Sequence, residues 1–453
     1  MTSSDVVLVC AAGIIAAAVF AVARRADVRL ALPLAGLALG LLGGDAAGVV
    51  RKFLVTLSNE QFIVPLCTAM GFARVLRQTG CDRHLVLILA APLRRVRLIL
   101  VPGTVLLGFC VNVPVISQTG TVVTIGPVLL PLLRTAGIPP VTAGAALLLG
   151  TSIGGELLNP GAPELRTISN DVSQGQPAPT PAKAVVAHSV RLLPLHLATA
   201  TLVFWAISLR ADRRTPATDW PPDVGPESKD PFRVNPFKAM IPLLPVAILF
   251  VAGPPWELWP VPRGLLVGPD EPGSHAESRL IGLAMLIGSA AAALSAGRSG
   301  AGSARAFFEG AGYSYTHVIA VIVAAATFGS GVEAVGLPDR LGKLTAEYPG
   351  LLVPLAAAIP YLFALVCGSG MASTQSLYHF FVDPARAQGL DPVALGALVA
   401  AAAAGGRTSS PVAAVTLLCA GMVGAAPLAL ARRVAVPILC GLAVTLLARA
   451  WWL

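Results

Sequence analysis

The sequence predicts an all-α polytopic membrane protein in which two re-entrant hairpins and two broken helices interrupt the apolar segments. Three observations predict it. The first is composition: the 453 residues are 55% hydrophobic and only 12% charged, where a soluble domain carries about a quarter charged residues. Apolar runs of about 20 residues, long enough to cross a bilayer, recur along the chain. The second is the polar, glycine-rich breaks inside such runs, GSGMASTQS from Gly368 to Ser376 and GGRTSSP from Gly405 to Pro411. Lipid cannot satisfy exposed backbone groups, so a break of this kind survives only where protein surrounds it or where it lines a cavity. The third is self-similarity. Asp82-Arg83, Cys110, Gln118 and Thr151-Ser152 recur at one constant spacing as Asp339-Arg340, Cys367, Gln375 and Thr408-Ser409. Phe72 and Phe328 fit one residue short of it, and Pro140-Val141 meets Pro392-Val393 only with a gap.

Taken in order, the first run, Val6–Val22, has Asp5 before it and arginines after it. A signal peptide carries its positive charge in front, so this run reads as a retained helix. Further spans are expected at Leu30–Leu42, Phe62–Leu76, Ala143–Leu158, Ala187–Leu209, Ala239–Ala252, Leu280–Leu294, His317–Val335, Val393–Thr416 and Val434–Leu447. The regions Leu98–Leu133 and Leu351–Val382 are polar near their middles and read as hairpins that enter and leave on one face. Arg24, Arg25 and Arg29 set the first loop in the cytoplasm, as do the arginines of later alternate loops. Arg51-Lys52 and Arg340 with Lys343 are exceptions. The scheme has ten crossings and two hairpins, with both termini outside. It turns the two related halves over with respect to one another, the arrangement of an inverted-topology repeat. The first half is 1–208, with its hairpin at about 98–133 and broken helix at about 141–165. A solvated cytoplasmic linker follows at 209–238. The second half is 239–453, with its hairpin at about 351–382 and broken helix at about 393–416.

Several classes are excluded or weakened. In so apolar a chain a net charge of +9 reads as basic loops against an anionic membrane surface. No Lys/Arg cluster interleaved with aromatics points to nucleic acid. The seven cysteines form no CxxC pair and read as small packing residues. There is no nucleotide loop, no HExxH and no GxSxG context, so neither an ATP-driven pump nor an enzyme is expected. Trp256, Trp259, Trp451 and Trp452 flank apolar runs as interfacial anchors do, and Arg94, Arg95 and Arg97 read as lipid-headgroup contacts. His188 and His196 read as core or cavity residues. His317, Glu333 and Asp339 read as loop or interface contacts.

The residues that carry chemistry sit at the breaks. The first hairpin tip, Asn112 to Thr121, offers Asn112, Ser117, Gln118, Thr119, Gly120 and Thr121. The second offers Gly368, Ser369, Gly370, Ser373, Thr374 and Gln375. Hydroxyls, an amide and glycines that admit close backbone approach suit a solute or ion, whereas a single polar kink would need no more than satisfaction by neighbouring helices. The first broken helix carries Thr151, Ser152, Gly154, Gly155 and Glu156. An intramembrane carboxylate is costly unless paired or protonatable, so Glu156 reads as a proton or cation carrier or as an arginine's ion-pair partner. The second carries Arg407, Thr408, Ser409 and Ser410. A guanidinium holds a carboxylate through two parallel hydrogen bonds, so Arg407 reads as an anion clamp or as a structural bridge.

The pattern GRTxSPV at Gly406–Val412, with GSG at Gly368–Gly370 and the stretches Gly310–Gly336 and Gly389–Met422, resembles the DcuC family of anaerobic C4-dicarboxylate transporters. Phe72–Val86 and Ala136–Val141 resemble it more loosely. The resemblance implies an inverted-repeat secondary transporter of elevator type, a homodimer in the bacterial inner membrane, with substrate and coupling cation at the hairpin tips and broken helices. It implies a small organic anion such as succinate, fumarate or malate, moved with H+ or Na+ or by exchange, Na+ at the hairpin tips being one option and no other cofactor being needed. GELLNPGAPEL and MASTQS depart from the family pattern, which leaves another organic anion, a short-chain keto acid or sugar acid, as the alternative substrate.

Overall fold

The computed structural model describes residues 3–24, 26–90, 99–173, 180–212, 220, 233–252, 259, 261–268 and 275–448, and these residues form helices without strands. The arginines at 94, 95 and 97, the tryptophans at 256, 451 and 452, and most of the 209–238 linker lie outside them, as do the side chains of His317 and Asp339. The chain opens with α1 (Ser3–Ala23), α2 (Val28–Gly43), α3 (Ala46–Leu57), α4 (Glu60–Thr79) and α5 (Cys81–Ala90). The first hairpin is α6 (Leu100–Val115) and α7 (Gln118–Thr135). The first broken helix is α8 (Pro140–Ser152), a 3-10 turn at Gly155–Leu158, and α9 (Pro163–Ser173), followed by α10 (Ala182–Asp212). Then come α11 (Pro236–Met240), α12 (Leu244–Ala252), α13 (Arg263–Leu266), α14 (Ala276–Ser295), α15 (Ser303–Ser314), α16 (Ala320–Ala334) and α17 (Leu337–Glu347). The second hairpin is α18 (Leu352–Cys367) with α19 (Gly370–Leu377) and α20 (His379–Ala387). The second broken helix is α21 (Pro392–Ser409) and α22 (Ala414–Val423), and α23 (Pro427–Leu447) closes the chain.

Each region read as a hairpin or a broken helix contains a helix break, at Ile116–Ser117, Ile153–Ala162, Gly368–Ser369 and Ser410–Ala413, but the breaks in the second half are narrower than the polar stretches. The second hairpin breaks only at Gly368 and Ser369, and Met371 to Ser376 are already helical. Gly405 and Gly406 also stay helical, and the break comes at Ser410–Ala413. The glycines there serve close packing: a Cβ on Gly406 would sit 2.1 Å from the Tyr361 carbonyl oxygen. Two segments expected as loops are helices, α3 around Arg51-Lys52 and α17 around Arg340 and Lys343.

Among the described residues five helices are long and apolar enough to cross a membrane unaided, 140–173, 182–212, 278–295, 349–367 and 427–447, the fourth being the first limb of the second hairpin. The pair Ala46–Leu57 and Phe62–Thr79, bent by 42°, passes the same test when taken together. Of the remaining expected crossings, α1 is a single helix of 21 residues, and others reach membrane length only in series. One such series is α15, a π-turn at Tyr315–Ile319, and α16. The chain is an integral, multi-pass membrane protein. All seven cysteines are free.

Capping residues set the hairpin register. Ser117 and Ser369 each cap the returning helix, their hydroxyls accepting from the N–H of Gly120 and of Ala372 at 3.1 Å. These caps relate at the shorter spacing that also relates Pro140 to Pro392, the starts of α8 and α21. Gln118 and Gln375, equal by the longer spacing, therefore occupy different places. The residue before each cap is left-handed, Gly368 at φ 70° and Ile116 at φ 60°. Ile116 is the one non-glycine with positive φ among the described residues. A β-branched residue strains there, and strain of this kind persists only where the surroundings enforce it.

Candidate functional site: the junction of the two broken helices

The last turn of α21 carries Arg407 into the break that follows α8. A helix end leaves carbonyls without intrahelical partners, and Gly154 at φ 119° turns the chain away before the next turn can supply them. Side chains from α21 do so instead. Arg407 donates from Nη2 to the Ser152 carbonyl at 2.7 Å and to Glu156 Oε1 at 2.7 Å, and from Nε to Ser152 Oγ at 3.2 Å. The Thr408 hydroxyl lies 2.8 Å from the same Ser152 carbonyl. Glu164, in the first turn of α9, places Oε1 3.8 Å from Arg407 Nη1. Glu156 is 0% exposed, Glu164 4% and Arg407 6%.

The first hairpin converges on the same carboxylate. Gln118 donates from Nε2 to Glu156 Oε1 at 2.8 Å. Asn112 Oδ1 accepts the Glu156 N–H at 3.1 Å, while Asn112 Nδ2 donates to Thr121 Oγ1 at 3.3 Å. Gly155 is required by this approach, since a Cβ would meet the Phe109 carbonyl oxygen at 2.6 Å. Two carboxylates thus flank one guanidinium, and Glu156 Oε2 and Glu164 Oε2 are left without a hydrogen-bond partner. A buried ionised carboxylate with a free oxygen is costly. The arrangement therefore has capacity for one more proton or cation.

The structure brings Asn112, Gln118, Ser152, Glu156, Arg407 and Thr408 together. Arg407 and Glu156, given separate roles by sequence, are partners in one ion pair. Other candidates are occupied locally. Thr151 donates to the Leu147 carbonyl, Ser373 to the Pro360 carbonyl and Thr374 to the Gly370 carbonyl. Ser409 accepts from the Tyr361 hydroxyl, Ser410 accepts the Val412 N–H, and Thr119 faces Ser117 at 3.4 Å. Gly370 lies against the guanidinium, where a Cβ would come within 3.2 Å of Arg407 Nη1. Of the two histidines read as core or cavity, His196 is buried against Gly441, and His188 pairs with Asp391 at 3.1 Å.

Sequence reasoning missed what lies beyond Glu164. In α9, Glu164, Thr167 and Asp171 recur three and four residues apart, which puts them on one helix face. That polar face, in a helix with most of its residues buried, leads from Arg407 to a cavity of about 270 Å³ lined by Lys52, Asn59, Asn170, Asp171, Gln375 and His379 among others. Of these only Gln375 is a sequence-predicted site residue. The recoverable signal was the i, i+3, i+7 polar pattern in a segment framed by apolar helices.

Comparison with known proteins gives these features a context. A family profile described as C4-dicarboxylate anaerobic carrier matches residues 273–450. A putative uncharacterized transporter of Haemophilus influenzae is 34% identical over 137 residues, 30% of this chain and 94% of the relative. The anaerobic C4-dicarboxylate transporter DcuC of Escherichia coli is 27% identical over 144 residues, a stretch that takes in 31% of either chain. The crystal structure of the Alcanivorax borkumensis YdaH transporter superposes with a TM-score of 0.56 at 17% identity, covering 88% of each chain, a likeness of fold.

Proposed function

This chain belongs to the DcuC family of transporters, and from that premise we propose that it is a secondary carrier of C4-dicarboxylates, succinate, fumarate or malate, driven by protons. The observation that carries the reading is the buried pair of Arg407 and Glu156 at the junction of the two broken helices, with carboxylate oxygens left unsatisfied. Protonation of Glu156 weakens its hold on Arg407. The released guanidinium then takes a substrate carboxylate through its fork of donors. One protein carboxylate gives way to one of the substrate's two, so the second substrate carboxylate is an added charge that this exchange does not balance. A proton suits the site better than Na+. The Ser152 carbonyl at the break, which would ligate a cation, is already taken by Arg407 and Thr408. In this reading the hairpins and broken helices move together against the remaining helices.

Uptake of labelled succinate into proteoliposomes tests this. An inward proton gradient is expected to drive accumulation, and Arg407→Ala to abolish it while the protein remains in the membrane. Absence of flux for all three acids under both proton and sodium gradients would overturn the reading.

A further inference from the structure

The cavity beyond Glu164 is lined from α3, α4, α9, α16, α19 and α20. It is set apart from the Arg407 junction: Gln375 stands five residues past Gly370, about 7.5 Å along a helix. Its lining leaves several polar atoms unanswered. Gln375 is 6% exposed, and neither atom of its amide has a partner. Asn170 Nδ2 and Asp171 Oδ2 have none either. Unmade hydrogen bonds on buried groups are costly, so something fills them.

Water alone would serve the amides, but the charges ask for more. Glu333 and His379 answer one another across the α16–α20 contact at 3.2 Å. Lys52 from α3 and Asp171 from α9 add a cation and an anion to the same lining, with Asp171 Oδ2 left without a hydrogen-bond partner. A dicarboxylate would set a carboxylate against Asp171, and like charges so placed repel. A molecule carrying both an ammonium and a carboxylate complements both charges.

We propose that this cavity binds a small zwitterionic amino acid. Its ammonium is held by Asp171, its carboxylate by Lys52 and the Asn170 amide, and Gln375 takes the remaining donor or acceptor. The volume of about 270 Å³ equals roughly nine liquid-water volumes. It lies just below the usual range for small-molecule sites, roughly 300–1,000 Å³, which is room enough for an amino acid. This ligand is additional to the dicarboxylate at Arg407, and the inference does not rest on that reading.

Titration calorimetry on the full chain in lipid nanodiscs, with L-aspartate, L-alanine and succinate as probes, decides it. L-Aspartate and succinate share a carbon skeleton and differ by the ammonium. At least one amino acid is expected to bind. Asp171→Asn and Lys52→Gln are each expected to weaken it by at least about tenfold, with succinate affinity unchanged and both variants monodisperse on size exclusion. Amino-acid binding with no succinate binding would support this inference while removing the dicarboxylate reading. Succinate binding with no amino-acid binding, or amino-acid affinity untouched by both substitutions, would overturn the inference and leave the carrier reading standing.

Discussion

At the scale of single residues, the chemistry turns on which partner Arg407 holds. Its guanidinium reaches two carboxylates and one carbonyl, and all three belong to the first broken helix. Breaking a buried pair by removing one member leaves the other charge unpaired, at a cost of about 3–5 kcal/mol. Arg407→Ala therefore removes both a substrate ligand and the partner of Glu156. Glu156→Gln is the more informative change. Glutamine keeps the shape and can still accept from Gln118 and Arg407, but it carries no charge to compete with substrate. If proton binding at Glu156 frees Arg407, wild-type uptake depends on the proton gradient. The glutamine variant, fixed in the neutral state, is expected to lose that dependence and to exchange succinate without responding to a proton gradient. Counterflow measured from pH 5 to 8 checks it, and a parental pH profile in the variant would remove Glu156 from the coupling role.

At the scale of elements, the hairpins show why part of this architecture is legible in sequence and part is not. A polar stretch within an apolar run must be a break or a lined cavity, so both hairpins and both broken helices are visible from composition alone. What composition blurs is where helix resumes. Ser369 caps α19 immediately, and the polar residues after it continue the helix because their side chains face protein rather than lipid. Helices α3 and α17 escape notice because their charged residues break the apolar run that marks a span, although Leu337, Leu341 and Leu344 keep helical spacing. The polar face of α9 escapes for the related reason that burial by protein is invisible in one sequence. Ile116 is hidden too, since nothing in its chemistry announces a left-handed backbone. Its φ of 60° makes a test. Elsewhere a buried position loses more stability to glycine than to alanine, by roughly 0.5–1 kcal/mol in regular structure. At Ile116 both truncations remove the same buried side chain to within a methyl, but only glycine relieves the backbone. Ile116→Gly is expected to melt above Ile116→Ala in detergent, the reverse of the usual order. The usual order would mean that the tip is unstrained.

At the scale of the whole molecule, the question is whether the hairpins and broken helices move as one body. Their mutual contacts are buried and polar, Arg407 on Ser152 and Glu156, Gln118 on Glu156 and Tyr361 on Ser409, so they are built to stay together. Their contacts with α3 and α16 are interrupted by the 270 Å³ cavity. A boundary between two bodies is therefore expected along that line, and α17, which follows α16, belongs to the outer body. A polar contact between α17 and the second hairpin is the bond from Gln388 Nε2, just past the end of α20, to the Thr345 carbonyl at 3.0 Å. Substituting both residues by cysteine in a background without the native cysteines allows a reversible lock at this crossing, away from the cavity and from Arg407. If transport requires the inner body to slide past α17, the oxidised double variant loses succinate uptake and a reductant restores it, while each single variant is indifferent to oxidation. Uptake that persists when the disulfide is shown to be complete would place the moving boundary elsewhere, and would require the hairpins to open at their own tips with the body around them fixed.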